Sequence, residues 1–267
     1  MEDLDQRRVQ PGAADQILRT LESFGFEWDG TVQFQNNRTF LYQAALAELQ
    51  SAGCCYPCRC SRSRLARRPA EPGDEPVYPG ICRADPEAGR GIHALRFRID
   101  ADVPVVAFED ELQGSIRQDC RREAGDFVIR RRDGYFAYQL AVVVDDELQG
   151  ISEVVRGCDL LSSTPRQILL QRALGYRTPR YAHVPLLVEA DGRKLAKSRR
   201  AAPIDAGCAA PMLTEALATL RQEPPPGLAR ATVREIWAWA LANWQPGRLA
   251  GRRELRLPGP ESRPGAD

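Results

Sequence analysis

Apolar residues recur along the chain at two periods, and the switches between them predict the elements. Over residues 13–24, Ile17, Leu18, Leu21 and Phe24 fall on one helical face, and Gly25 supplies a stop. A second helix is predicted over 39–52, with Phe40, Ala44, Ala45 and Leu49 inward and Gly53 behind it. Leu95, Phe97 and Ile99 alternate with polar or basic neighbours, so 94–99 reads as a half-buried strand. Residues 105–108 read as another strand, and 127–131 lead into an Asp133-Gly134 turn. The run 140–144, Leu-Ala-Val-Val-Val, is β-branched enough to read as a strand. Tyr138 and Gln139 stand before it, and Asp145 and Asp146 close it. After Gly150, residues 151–155 read as a buried strand that delivers Arg156 at its C-terminal end. Thr164 caps a helix that opens on Pro165, with Ile168, Leu169 and Leu174 inward and Gly175 as its stop. Residues 181–188 read as a strand, and 212–220 and 233–244 as amphipathic helices. The loop 69–76 has no period, and the Arg-, Pro- and Gly-rich tail from Gln245 reads as disordered.

Strands alternating with helices predict an α/β fold. In open α/β sheets, ligands sit beyond the carboxyl ends of strands. An Arg at such a place can fork onto a carboxylate or phosphate, which makes Arg156 a candidate; the plainer reading is a solvated Arg at a strand end. Composition narrows the rest. Acidic (36) and basic (37) residues balance, so no global field advertises a nucleic-acid or membrane partner. No apolar run reaches membrane-spanning length and no signal pattern opens the chain, so a cytoplasmic protein is expected. Eight cysteines in that setting point to metal or inert core thiols rather than disulfides.

Three groups of residues carry chemistry. Cys58 and Cys60 lie one residue apart and Cys82 lies on a second knuckle, a pattern that can close a sulfur-rich metal site. Tyr78, four residues before Cys82, is a candidate oxygen ligand; Cys55 is a rival, and a set of buried thiols is the alternative. Arg62, Arg64, Arg67 and Arg68 crowd the same knuckle and suit a phosphate backbone. Of 37 basic residues only Lys194 and Lys197 are Lys, and both fall in Lys-Leu-Ala-Lys-Ser at 194–198. Two compact ammonium groups on one loop suit a polyphosphate whose charge shifts during reaction. Glu2, Asp3 and Asp5 can mark the end of a strand and bind an amine or a ribose hydroxyl, or form a frayed terminus. His93 and His183 are isolated in the sequence and read as structural.

Taken together, the motifs resemble a known family. Tyr-Phe-Ala-Tyr-Gln-Leu-Ala-Val-Val-Val-Asp-Asp at 135–146, Val-Arg-Gly at 155–157, Ser-Thr-Pro at 163–165 and Lys-Leu-Ala-Lys-Ser at 194–198 look like a class I glutamyl-type tRNA synthetase, to about residue 245. The Cys-x-Cys … Tyr-x-x-x-Cys knuckle and the few residues after 198 resemble the short paralogues that glutamylate queuosine in tRNA(Asp). The resemblance implies a Rossmann-type catalytic domain with a zinc-bearing insertion and a short helical C-terminal portion. It makes 138–146 helical instead of a strand, feeding a strand at 152–156. It assigns Glu2, Tyr138 and Arg156 to L-glutamate, with Arg156 on the side-chain carboxylate. Lys197, with Lys194 beside it, falls to the phosphates of ATP, which carries Mg2+. Cys58, Cys60, Tyr78 and Cys82 become ligands of one Zn2+.

The implied organisation is 1–53 and 135–200 as the two Rossmann halves, 54–134 as the zinc-bearing insertion, 201–245 helical and 246–267 a disordered tail, in a monomer. The family begins with a strand and a HIGH-type loop that binds ATP, whereas here Met1 directly precedes Glu-Asp-Leu-Asp. The expectation is therefore an N-terminally truncated chain with weak or no catalysis. Rival readings are a catalytic fragment that charges the tRNA 3′ end, and a non-catalytic zinc-dependent tRNA-binding module.

Overall fold

The structure, a computed structural model, describes residues 1–61, 65, 77–85, 87–102, 104–188 and 204–256. Helix α1 (Ala13–Ser23) forms where the period predicts it, but it contributes little core. Ile17 is 50% exposed, and only Phe24, at the helix end, is buried. That end docks on the C-terminal helices: the Trp237 indole N–H donates to the Phe24 carbonyl at 2.8 Å. Gly25 has φ +74, and a Cβ there would lie 2.8 Å from Val233 Cγ1, so backbone and packing both demand glycine.

Helix α2 (Thr39–Ser51) buries Ala45 and Leu49 as predicted, but Tyr42 and Leu46 join them in place of Phe40 and Ala44. Phe40 is 67% exposed and Ala44 is exposed as well. The buried four follow i, i+3, i+4, i+7, a continuous stripe that the predicted set does not make.

Strands β1 (Cys55–Cys58), β2 (Ala94–Phe97) and β5 (Val128–Arg130) form one antiparallel sheet in the order β1-β2-β5. β2 is buried along its whole length, Arg96 included, instead of half-buried. β3 (Val105–Asp110) and β4 (Gly114–Asp119) pair as a hairpin, followed by the single helical turn α3 (Cys120–Glu123).

Helix α4 (Tyr138–Leu148) takes up the Leu140–Val144 run, so the helix implied by the resemblance holds and the strand read from β-branching does not. Leu140, Ala141, Val143 and Val144 are all buried, and burial on this scale overrides the modest helix penalty of valine. Gly150 at φ +66 ends α4, with the Ile151 N–H returning to the Asp146 carbonyl at 2.8 Å. β6 (Glu153–Gly157) follows, then α5 (Thr164–Leu174), β7 (Arg180–Val184) and β8 (Leu186–Val188).

The main sheet runs β4-β3-β7-β6, with β7 parallel to both β3 and β6. β6 was expected to be buried, but it is an edge strand with Val155 68% exposed. Helices α2, α4 and α5 supply Tyr42, Leu46, Leu49, Leu140, Val144, Ile168 and Leu170 to the main core, which also takes Val106 and Tyr181 from the sheet. Helices α6 (Ala209–Thr219) and α7 (Val233–Asn243) build a separate small core with Phe24.

The tail departs from expectation. β9 (Glu254–Arg256) pairs parallel with β8, and Leu249 and Leu255 are buried against Leu112, so residues 246–256 are ordered. Pairing with a distant strand supplies the partner that local composition does not reveal. No helix among the described residues is long and apolar enough to cross a membrane.

One buried carboxylate ties the first helices to α4. Asp145 accepts from the Gln35 amide at 3.0 Å, the Arg38 Nε–H at 2.7 Å and the Tyr42 hydroxyl at 2.8 Å. Asp145→Ala leaves the buried Tyr42 phenol without an acceptor and the half-buried Arg38 guanidinium without its carboxylate. It should cost about 3–5 kcal/mol, read as a fall in ΔG of unfolding by denaturant titration; a loss below about 1 kcal/mol would dismiss the hub.

Candidate active site

A cleft of about 500 Å³ opens beside the carboxyl end of β6, lined by Glu2, Tyr138, Val142, Asp146, Val154, Arg156 and Leu160. Element periods explain the lining. Tyr138, Val142 and Asp146 are spaced i, i+4, i+8 along one face of α4. Val154 and Arg156 alternate onto one face of β6. The Glu-Asp-Leu-Asp segment is not a strand, and its residues diverge. Asp3 accepts from the Asn36 backbone N–H at 2.9 Å, Asp5 pairs with Arg131 at 3.0 Å, Leu4 packs on the main core and Glu2 faces the cleft.

Arg156 is held by groups that carry no formal charge. Its Nε donates to His183 Nε2 at 3.1 Å, and its Nη2 donates to Thr164 Oγ1 at 2.8 Å and Gln167 Oε1 at 2.7 Å. Nη1 takes part in none of these bonds. The Gln167 amide donates in turn to Gln139 Oε1 at 2.9 Å, and Gln139 donates to Ser163 Oγ at 3.0 Å. The guanidinium also lies 5.4 Å from the Tyr181 ring centroid. His183 is therefore not isolated: it is fully buried between Asp110 and Arg156. Only strand register reveals that, because Asp110 and Arg156 lie far from it in sequence.

Charge in the cleft is mixed. Burial raises the Glu2 carboxyl above its ordinary value, and the Met1 ammonium and then Arg156 pull it partly back. Burial pushes Asp146 up to about 6 against the same pull. Burial also raises the Tyr138 phenol. One guanidinium facing two carboxyls and a phenol suits a ligand that carries both a carboxylate and an ammonium group. Asp146 was noticed in the sequence only as the close of an apolar run; its i+8 spacing from Tyr138 was the available signal.

The second constellation lies on the insertion. Cys58, Cys60 and Cys82 bring their sulfurs within 4.8 Å of one another, and all three are buried. Cys60 and Cys82 sulfurs are 3.6 Å apart, close to the roughly 3.8 Å that two thiolates span on a tetrahedral zinc. The Tyr78 hydroxyl lies 3.4 Å from Cys58 Sγ and 3.9 Å from Cys60 Sγ, and accepts from the Cys82 N–H at 2.9 Å. The donor set fits a thiophilic ion. Cys55 stands apart and packs against the main core. Burial pushes Cys60 up to about 11. Burial opposes ionisation of Cys82 as well, but hydrogen bonds led by that of Tyr78 outweigh it and hold this thiol below its ordinary value. Arg96 stacks 3.8 Å over the Tyr78 ring and donates to Cys58 Sγ at 3.3 Å, placing positive charge where thiolates would gather.

Lys194 and Lys197, and Arg62, Arg64, Arg67 and Arg68, lie outside the described residues. His93 is an exposed-loop residue whose ring nitrogen meets the Gly91 carbonyl at 2.8 Å.

The raised Asp146 has a consequence for stability. An acid with an elevated folded pKa favours the fold while protonated. That contribution is complete below the unfolded value near ~4 and is lost as pH rises through about 6. Asp146→Asn imitates the protonated form. Its Tm should exceed that of the parent at about pH 7.5, with the gap closing towards about pH 4; a gap that does not change with pH would refute the burial of this charge.

Comparison with known proteins agrees with the fold. The family described as tRNA synthetases class I (E and Q), catalytic domain, matches residues 1–208. A glutamyl-Q tRNA(Asp) synthetase of Ectopseudomonas mendocina (strain ymp) is 49% identical over 255 residues, covering 96% of this chain and 84% of that protein. The protein of the same name from Dechloromonas aromatica (strain RCB) is 50% identical over 246 residues, covering 91% and 81%. In fold, the chain matches a glutamate tRNA ligase from Elizabethkingia meningosepticum CCUG26117, solved in complex with its amino acid, with TM-score 0.74 and 20% identity. That match covers 97% of this chain and 60% of the ligase. With the family model spanning the residues of the cleft, the cysteine knuckle and the main sheet, and with about half of the aligned positions shared with its relatives, this chain belongs to the class I glutamate- and glutamine-type tRNA synthetases, in the glutamyl-Q tRNA(Asp) synthetase family.

Proposed function

We propose that this chain activates L-glutamate with ATP and transfers it to queuosine in the anticodon of tRNA(Asp). The observation that carries the reading is the cleft in which Arg156, Glu2, Tyr138 and Asp146 converge at the end of β6. The names of the relatives support the acceptor. In the first step a glutamate α-carboxylate oxygen attacks the α-phosphorus of ATP. The bond to the β-phosphate oxygen breaks, and pyrophosphate leaves. In the second a queuosine hydroxyl attacks the activated carbonyl and AMP departs. No protein nucleophile is required, so catalysis rests on position and charge.

In this reading Arg156 pairs the substrate's side-chain carboxylate, Glu2 meets its ammonium group, and Tyr138 closes the cleft beside them. Lys197, with Lys194, steadies the pyrophosphate while Mg2+ accompanies ATP. Cys58, Cys60, Tyr78 and Cys82 hold one Zn2+, which braces the knuckle and takes no part in the chemistry. Residues 1–53 and 135–200 form the catalytic halves and 54–134 the inserted module. The reaction belongs in the cytoplasm, where eight unpaired cysteines are compatible with a reducing environment.

Arg156→Ala should weaken glutamate binding about ten- to hundred-fold in calorimetry. Labelled glutamate should pass to tRNA(Asp) bearing queuosine and not to the same tRNA bearing guanine. Unchanged affinity would remove Arg156 from the substrate, and label on the 3′ end would change the acceptor.

For the knuckle, elemental analysis should find about one zinc per chain, lost in Cys58→Ala. A folded parent protein without metal would eliminate the zinc site.

A further inference from the structure

Three neighbouring strands carry an acid, an imidazole and a guanidinium in one row across the main sheet. β3 ends on Asp110, which aligns with Tyr181 of β7; two residues on, His183 aligns with Arg156 of β6. The Asp110 and His183 side chains are 0% exposed, and His183 Nδ1 lies 2.5 Å from Asp110 Oδ2. On the other side of the ring, Arg156 Nε meets His183 Nε2 at 3.1 Å.

Thr164 Oγ1 also lies 3.1 Å from His183 Nε2, but the Arg156 Nε–H is aimed at that same nitrogen. A guanidinium N–H can only donate, so His183 Nε2 must present a lone pair. The ring is then neutral, with its proton on Nδ1 and donated to Asp110. Asp110 is fixed for that task. Its Oδ1 accepts backbone N–H groups from Leu112 at 3.1 Å, Gln113 at 2.8 Å and His183 at 3.1 Å. Burial alone would raise the Asp110 carboxyl, but the bond from His183 and these N–H groups outweigh it and keep Asp110 ionised. Burial, joined by the charge of Arg156, holds His183 below its ordinary value against the pull of Asp110, which favours the neutral ring.

We infer that Asp110 and His183 are positioning residues: the acid selects the His183 tautomer, and the tautomer orients the Arg156 fork towards the substrate carboxylate. Thr164 and Gln167 grip the guanidinium at Nη2 and the side chain tethers it at Nε through Cδ, which leaves its plane free to roll about the line between those two nitrogens. The bond at Nε removes that rotation and leaves Nη1 directed by the other two. The inference rests on the reading that Arg156 receives the glutamate carboxylate, and it adds two residues that touch no substrate.

Asp110→Asn is the decisive variant. The amide oxygen can keep the three backbone bonds, while the amide nitrogen offers a proton to His183 Nδ1. That forces the ring proton onto Nε2, against the Arg156 N–H. Because the chain holds only two histidines, long-range proton–nitrogen correlation spectra of the whole labelled protein resolve the His183 tautomer. The parent should show neutral His183 protonated at Nδ1. Asp110→Asn should show the Nε2-protonated form and bind glutamate about ten- to hundred-fold more weakly in calorimetry, with ATP affinity retained. An Nε2-protonated or doubly protonated His183 in the parent overturns the inference, even where the variant fails to fold. So does an Asp110→Asn protein that binds glutamate within about twofold of the parent while Arg156→Ala weakens binding. If Arg156→Ala leaves glutamate affinity unchanged, it is the substrate reading that fails, and the parent spectrum still decides the tautomer.

Discussion

The guanidinium of Arg156 has to keep its charge in a cleft walled by α4, β6 and the Glu2 segment. A carboxylate directly against it would satisfy the charge and spend it. The fold instead surrounds it with acceptors that carry no formal charge, Thr164, Gln167 and His183. Its positive field thus stays available to an anion in the cleft. Asp110 is set one residue back, behind the imidazole, so it fixes geometry without sitting on the guanidinium. Other placements follow from this arrangement. β6 must lie beside β7 to bring Arg156 opposite His183, and α5 must begin where Thr164 and Gln167 can reach the same nitrogen.

The same management of charge appears at the insertion. Arg83 binds Asp126 through two nitrogens, with Tyr56 donating to the same carboxylate. Asp126 also accepts from the Ile99 N–H at 2.9 Å, which ties the second knuckle to the end of the β2 segment. Arg96 covers the Tyr78 ring and touches Cys58. Buried carboxylate and sulfur are thereby matched by arginines that are themselves hydrogen-bonded. A small module with few aliphatic side chains can stay ordered on such bonds. The main core is built differently, from Leu, Ile, Val and Tyr on three helices packed against the sheet.

Much of the site was legible because its motifs are local. Tyr138 with Gln139, Arg156 with Gly157, and Cys58 with Cys60 announce themselves by residue type at short spacing. The α4 helix was legible only through resemblance, since Val142, Val143 and Val144 favour a strand when read alone. On α2, Ala45 and Leu49 were read correctly, but Phe40 was taken as inward because it looks more apolar than Tyr42, yet Tyr42 has a buried acceptor in Asp145 that lies 103 positions away. The tail was misread for a similar reason: its Arg and Gly content suggested disorder, while Leu249 and Leu255 found a pocket beside Leu112.

By itself, the sequence determined the alternation of elements, the supply of one arginine at a strand end, the thiol-rich knuckle and the pairing of two lysines in one loop. These depend on spacing and on the chemistry of neighbouring side chains, which a linear chain displays. Only the tertiary structure decided that Asp110, His183 and Arg156 form a row, that Asp146 shares a cleft with Glu2, and that Cys55 stands outside the knuckle. Those facts depend on strand register and on which helix face finds a buried partner. Both are settled by contacts between segments tens of residues apart, where no local period carries information.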